Sequence, residues 1–330
     1  MKTNLPIPGF VDLQVNGYLG VDFSSPELTE ESFAHACRMM LHSGTAAFLP
    51  TIITCPVEIY RRNLPIMAGV IASPEFRGQL LGIHLEGPFI SPQPGAVGAH
   101  NPAWTRPPDI TLLQQINDWA GHSIRLITLA AELDGASELA QAAVTEGMVV
   151  SIGHTLATAA DLHRLAQAGA RALTHLGNGI GSMLHKFANP IWAGLADDDY
   201  TAMFIGDGHH LPDGALKPML RAKETKRAVI VSDASPVAGM PPGEYVTLGN
   251  RVILEPSGRL YNPEKGHLVG SSATLLGCMN HLAATGFFSL DDLLALGFYQ
   301  PLQLIGLDPT AVKAAGKLFY DPDQRLFVTG

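Results

Sequence analysis

Short apolar runs alternate along this chain with longer stretches whose apolar residues recur at helical spacing, and the alternation can be followed through eight cycles. The runs are Phe10–Val15, Ala46–Ile53, Leu80–Leu85, Ile124–Ala130, Met148–Ile152, Arg171–Thr174, Ala202–Ile205 and Ala228–Val231. Short runs of this kind, bounded by turn residues, predict strands buried on both faces. The segments between them carry helix punctuation. Pro26 to Ser43 stops at Gly44, and Asp161 to Ala168 lies between the capping residue Thr158 and Gly169. Eight strands joined by helical crossovers predict an α/β fold closed into a (β/α)8 TIM barrel rather than an open sheet.

The texture changes after the eighth run. Met240-Pro241-Pro242-Gly243 introduces two short β-like pieces, Tyr245 to Leu248 and Arg251 to Leu254, separated by Gly249-Asn250. A small insertion above the barrel is expected at about residues 240–268. Helical segments follow near Ala273 to Ala284 and Leu290 to Leu296, and a short tail at about 317–330 is β-like again. With no internal repeat or linker, residues 1–330 are expected to form a single barrel domain.

Composition narrows the partners. The 330 residues are 46% hydrophobic and 15% charged, enough apolar material for one large core. A net charge of -9 leaves no basic excess for nucleic acid or an anionic membrane. Cys37, Cys55 and Cys278 are odd in number and lack metal-type spacing, which points to a reducing compartment. With no signal-peptide or membrane-spanning pattern, a cytoplasmic protein is expected.

Barrel enzymes carry their chemistry at the carboxyl ends of the strands, so the residues just past each run carry the functional information. Gln14 and Asn16 end the first run, Glu86 follows the third, His154 the fifth, His175 the sixth, His209 and His210 the seventh, and Asp233 the eighth. Glu86, His154 and His175 make a His2Glu set, which leaves one position on a zinc ion open to water. Taken singly, each is equally well a salt-bridged glutamate or a satisfied core histidine; together at strand ends they suggest a metal centre. Asp233 could act as general acid and base, or simply close an Asx turn in Asp233-Ala234-Ser235-Pro236. His100, on the loop after the third run, could polarise a carbonyl or remain a solvated loop residue. HExxH, GxSxG, P-loop and CxxC motifs are absent, and Gly177-Asn178-Gly179-Ile180-Gly181 lacks the third glycine of a dinucleotide fingerprint.

These motifs together resemble those of N-acetylglucosamine-6-phosphate deacetylases of the amidohydrolase superfamily. The matching stretches are Pro8-Gly9-Phe10-Val11-Asp12-Leu13-Gln14-Val15-Asn16-Gly17, His84-Leu85-Glu86-Gly87-Pro88-Phe89, Gly98-Ala99-His100, Gly153-His154-Thr155, Thr174-His175-Leu176-Gly177-Asn178-Gly179, Asp207-Gly208-His209-His210, Ser232-Asp233-Ala234 and Gly270-Ser271-Ser272, in the family's order. The resemblance implies hydrolysis of the acetamide of an N-acetylated amino sugar phosphate. It makes Glu86, His154 and His175 ligands of one divalent ion, zinc first, with Fe2+, Mn2+ or Co2+ as alternatives. It makes Asp233 the acid and base and His100 the carbonyl-polarising group. Substrate contacts are implied at Ala99, His100, Asn178, Gly179 and His210, with backbone at Leu268, Val269 and Gly270 lining the sugar. A homodimer is implied as well.

The chain departs from the family pattern in three places. Only seven residues precede Pro8, where family members carry a β-sandwich segment, so that domain is expected to be reduced or absent. Residues 180–190 contain no arginine to reach phosphate, and Lys186 and His185 are the local substitutes. Gly179 stands where alanine is usual. The missing arginine keeps a second reading open, deacylation of an unphosphorylated N-acetyl amino sugar or an N-acyl amino acid. A non-catalytic sugar-binding barrel is the remote third.

Overall fold

The computed structural model describes residues 4–181, 183–314 and 316–330. The eight apolar runs form eight parallel strands: β1 (Phe10–Val15), β2 (Thr45–Ile53), β3 (Ile83–Glu86), β4 (Ile124–Leu129), β5 (Val149–Ile152), β6 (Ala172–Leu173), β7 (Thr201–Ile205) and β8 (Ala228–Val231). Each pairs with its sequence neighbour from β1 through to β8, the order expected when every connection is a crossover helix. The crossovers from β1 to β5 carry α1 (Glu30–His42), α2 (Val57–Ala72), α3 (Ile110–Trp119) and α4 (Ala136–Thr145). Those from β5 to β8 carry α5 (Ala159–Gln167), α6 (Pro190–Ala196) and α7 (Asp213–Lys223), and α8 (Leu275–Thr285) follows β8. Thr29 and Thr158 start α1 and α5 with capping boxes.

Alternation along the strands sorts the core into two layers. Phe48, Ile83, Leu85, Ile127, Leu129, Phe204 and Ile230 pack with the helices. Their neighbours Ala47, Leu49, Leu126, Met203, Val229 and Val231 join Val11 and Leu13 in a separate cluster inside the barrel, with Phe298, Leu302 and Ile305 packed against it. Towards the carboxyl ends the inner positions turn polar. His84 Nε2 lies 2.8 Å from Thr128 Oγ1, which lies 2.7 Å from Thr174 Oγ1, all buried.

The seam between β1 and β8 closes the barrel. Val15 bridges Ala234 in parallel register, and Asn16 N donates to Ala234 O at 2.8 Å. Asp12, fully buried, accepts from Ser232 N at 3.1 Å and from the Ser232 hydroxyl. Burial pushes the Asp12 carboxyl up to about 7, against the opposing hydrogen bonds from Ser232 and Gln14. A folded-state value above the unfolded ~3.9 means that the fold holds this proton where the unfolded chain releases it. Its contribution is therefore fully present below pH ~4 and is lost as pH rises through about 7. Asp12→Asn should remove that slope. Between pH ~5 and ~8, denaturant-derived stability should fall more for the wild type than for the variant, and parallel profiles would contradict this role.

Beside the barrel, the described residues form a two-stranded antiparallel ribbon, Gly17–Tyr18 with Val21–Asp22, and two three-stranded antiparallel sheets. Gly243–Thr247, Asn250–Leu254 and Leu260–Tyr261 form one, packed through Val252, Leu254 and Leu260 on Val237 and Val269. The tail strands Leu318–Asp321 and Leu326–Thr329 form the other with Leu5–Ile7. Among the described residues, no helix is long and apolar enough to cross a membrane.

Candidate metal centre and substrate cavity

A cavity of about 550 Å3 opens at the carboxyl ends of the strands. The structure brings Glu86, His154, His175, Asp233, His100, Asn178, Gly179 and His210 to its lining, together with Ala99, Leu268 and Gly270. Val269 is the exception within its motif, because its side chain is fully buried in the small-sheet cluster.

Glu86, His154 and His175 present ligand atoms that all lie within 4.8 Å of one another, and all three residues are buried. Glu86 Oε1 is 2.9 Å from His175 Nε2 and 3.3 Å from His154 Nε2. Gln14 Nε2 donates to the same oxygen at 2.9 Å. Burial alone would raise the Glu86 carboxyl, but the hydrogen bonds from His154 and His175 outweigh it and hold the group well below the usual carboxylate range. An ionised carboxylate is the form that binds a cation. His154 Nδ1 donates to Ala96 O at 2.7 Å, which turns Nε2 towards Glu86 and fixes the ligating tautomer once an ion takes the place of the Nε2 proton. The donor set, its burial and this outer hydrogen bond fit a single divalent ion.

Backbone conformation is unusual at this spot. His154, His175 and Asp233 have φ of 49°, 31° and 52°, a left-handed region that costs a non-glycine residue energy. Each sits where a strand ends and the chain must turn at once, so the side chain stays at the barrel axis. The His154 ring is hemmed in by two glycines. A Cβ on Gly179 would stand 2.8 Å from His154 Nδ1, and one on Gly98 would stand 3.0 Å from its Cε1. Alanine at position 179 would therefore displace the imidazole or the loop.

Asp233 faces the same space from β8. Asn16 Nδ2 donates to its Oδ1 at 2.8 Å, and Ser271 N donates to its backbone carbonyl at 2.8 Å. Burial first, and the Glu86 charge second, push the Asp233 carboxyl up to about 6. His100 Nε2 lies 3.2 Å from His154 Nε2 and 3.9 Å from Glu86 Oε2. Burial, reinforced by the neighbouring His154, lowers the His100 imidazole to about 3, so it is neutral at physiological pH. Across the cavity His210 Nδ1 is held by Asp207 Oδ2 at 2.8 Å. Burial would raise Asp207, but the His210 contact and the backbone amides of His209 and His210 bring it down to about 2.

Some residues lie elsewhere than expected. Lys186 is exposed, its ammonium 5.3 Å from the centre of the Phe187 ring, and it does not line the cavity of this chain. His185 accepts from the amides of Phe187 and Ala188. Strand-end reasoning did not single out Asp207, Leu248, Lys265 or His267. Asp207 carried a signal, an Asp three residues before a His, whereas the other three reach the cavity only through the folding of the small sheet over the barrel mouth.

No protein-family model matches the chain. Among curated proteins it is 34% identical over 327 residues to the N-acetylglucosamine-6-phosphate deacetylase of Bos taurus, covering 96% of this chain and 77% of that one. It is 28% identical over 303 residues to the N-acetylgalactosamine-6-phosphate deacetylase of Escherichia coli O157:H7, covering 91% and 78%. Among solved structures, a variant of N-acetyl-D-glucosamine-6-phosphate deacetylase from Mycobacterium smegmatis in complex with N-acetyl-D-glucosamine-6-phosphate superposes with a TM-score of 0.87 at 26% identity, covering 98% of this chain and 84% of that one. By barrel, site motifs and overall similarity, the chain belongs to the N-acetylglucosamine-6-phosphate deacetylase family of the amidohydrolase superfamily.

Proposed function

We propose that the chain hydrolyses the acetamide of N-acetylglucosamine 6-phosphate, giving acetate and glucosamine 6-phosphate. The observation that carries this reading is the convergence of Asp233 with a buried His2Glu set at the floor of one cavity. Glu86, His154 and His175 would hold one divalent ion, with zinc the natural occupant of such a set and Fe2+, Mn2+ or Co2+ as alternatives. When bound, the ion lowers the pKa of water and polarises the carbonyl.

The protein's own groups do the rest. Asp233 takes the proton of the attacking water as the C–O bond forms, and returns it to the sugar nitrogen as the C–N bond breaks. Asn16 keeps one carboxylate oxygen occupied, so the other is turned to this exchange. His100 is neutral, so its role is that of an N–H donor to the carbonyl oxygen as negative charge collects there. Asn178, Gly179 and His210 face the sugar phosphate, and Asp207 holds the His210 ring in place. Leu268, Gly270 and Ala99 line the sugar. Met183, Phe187 and Trp192, exposed by 92%, 70% and 54% on the segment after β6, are apolar side chains available for a homodimer contact. Buried, unpaired Cys37, Cys55 and Cys278 suit a cytoplasmic setting.

Acetate release from N-acetylglucosamine 6-phosphate, N-acetylgalactosamine 6-phosphate, N-acetylglucosamine and N-acyl amino acids tests the proposal. The first should have the highest kcat/KM. A preference for an unphosphorylated sugar or an amino acid would favour the second reading, which the absence of arginine in residues 180–190 motivates.

A further inference from the structure

We infer that Lys265 is the residue that makes this site selective for a phosphorylated sugar, in place of the arginine missing after Asn178. The inference rests on the deacetylase reading above and names the group that recognises the phosphate. Among the described residues lining the cavity, Lys265 is the one lysine or arginine. Of the lining carboxylates, Glu86 is engaged by the metal set and Asp233 remains, and a phosphate dianion entering beside it is held more firmly by a charge-assisted donor.

The position of Lys265 is built rather than incidental. It lies on the turn that leads out of Leu260–Tyr261, where Asn262 N donates to His267 O and Gly266 N to Asn262 O, both at 2.9 Å. The Asn262 side chain, itself buried, accepts from Glu264 N at 2.9 Å and from Lys265 N at 3.0 Å. Lys265 Nζ then reaches Asn250 Oδ1 at 3.3 Å, and Asn262 Nδ2 donates to the same oxygen at 3.2 Å. Asn250 is buried too, and its Nδ2 donates to Ala99 O at 3.0 Å, on the loop that carries His100. Two buried asparagines thus fix both ends of the lysine beside the cavity and tie it to the loop of His100. A neutral amide oxygen leaves the ammonium two further donors and its full charge for an incoming oxyanion. Lys186, by contrast, stacks on Phe187 outside the lining.

The test is calorimetric binding of glucosamine 6-phosphate and glucosamine, ligands that cannot turn over, to metal-loaded wild type, Lys265→Ala, Lys265→Arg and Lys186→Ala. Wild type should bind the phosphorylated ligand at least about 10-fold more tightly than glucosamine. Lys265→Ala should lose about 10-fold for glucosamine 6-phosphate with little change for glucosamine, and Lys265→Arg should retain most of the preference. An unchanged preference in Lys265→Ala, an equal loss for both ligands, a loss confined to Lys186→Ala, or no preference in wild type would each overturn the assignment. Acetate release, measured separately, distinguishes the two failures. A Lys265-dependent phosphate preference without deacetylation would sink the catalytic reading and leave the phosphate contact standing.

Discussion

Asp233→Asn is expected to lower kcat for N-acetylglucosamine 6-phosphate by about 10²-fold or more while metal content stays near that of the wild type. The substitution keeps the shape of the side chain and leaves an oxygen for the Asn16 amide, but it removes the group that accepts the proton of water. The pH profile gives an independent reading. In the metal-free chain burial and the Glu86 charge push Asp233 up to about 6. A bound dication nearby favours the ionised form and draws that value down, so the acid limb of wild-type kcat should lie at or below about pH 6. As pH falls through it, the carboxylate takes up a proton and the base is lost. The residual activity of the Asn variant should lack that limb. Near-normal turnover in the variant would reduce Asp233 to a turn residue, the alternative its Asp-Ala-Ser-Pro context allows.

Glu86→Ala should have the larger effect, because it removes the one carboxylate of the ligand set. Purified variant should carry little metal by elemental analysis, and acetate release should fall by on the order of 10³-fold or more. The structure also explains why neighbours do not compensate. Gln14 directs its amide N–H, not its carbonyl oxygen, at the carboxylate, and a neutral amide binds a dication less well than the lost anion. A variant that retained a full complement of metal would show that the ion sits elsewhere.

The barrel was legible because buried parallel strands carry their own signature. The first and last runs coincide with β1 and β8 to the residue. Other boundaries slipped for local reasons. The third run opens at Leu80, but the ladder begins at Ile83, because Gly82 adopts φ 132° and Leu80 makes only an isolated bridge to Phe48. The helix read from Pro26 starts at Glu30, where Thr29 and Ser32 complete a capping box that a count of apolar residues does not register.

The floor of the site could be approached from sequence because a closed barrel brings every strand end to one mouth, so position in the chain stands in for position in space. The rim could not. Lys265 belongs to a small sheet whose placement over the barrel depends on contacts such as Asn250 with Ala99. Those partners are 151 residues apart, and no local pattern links them. Lys186 was the nearer candidate along the chain, yet its side chain is turned onto Phe187.

The most direct test of the central claim is acetate release from N-acetylglucosamine 6-phosphate by wild-type protein stripped with chelator and then titrated with Zn2+. Turnover should be negligible in the stripped protein and should rise to a plateau at about one ion per chain, as a single His2Glu site requires. Full turnover after exhaustive chelation, a plateau that needs two ions per chain, or no acetate from this substrate at any metal content would contradict it.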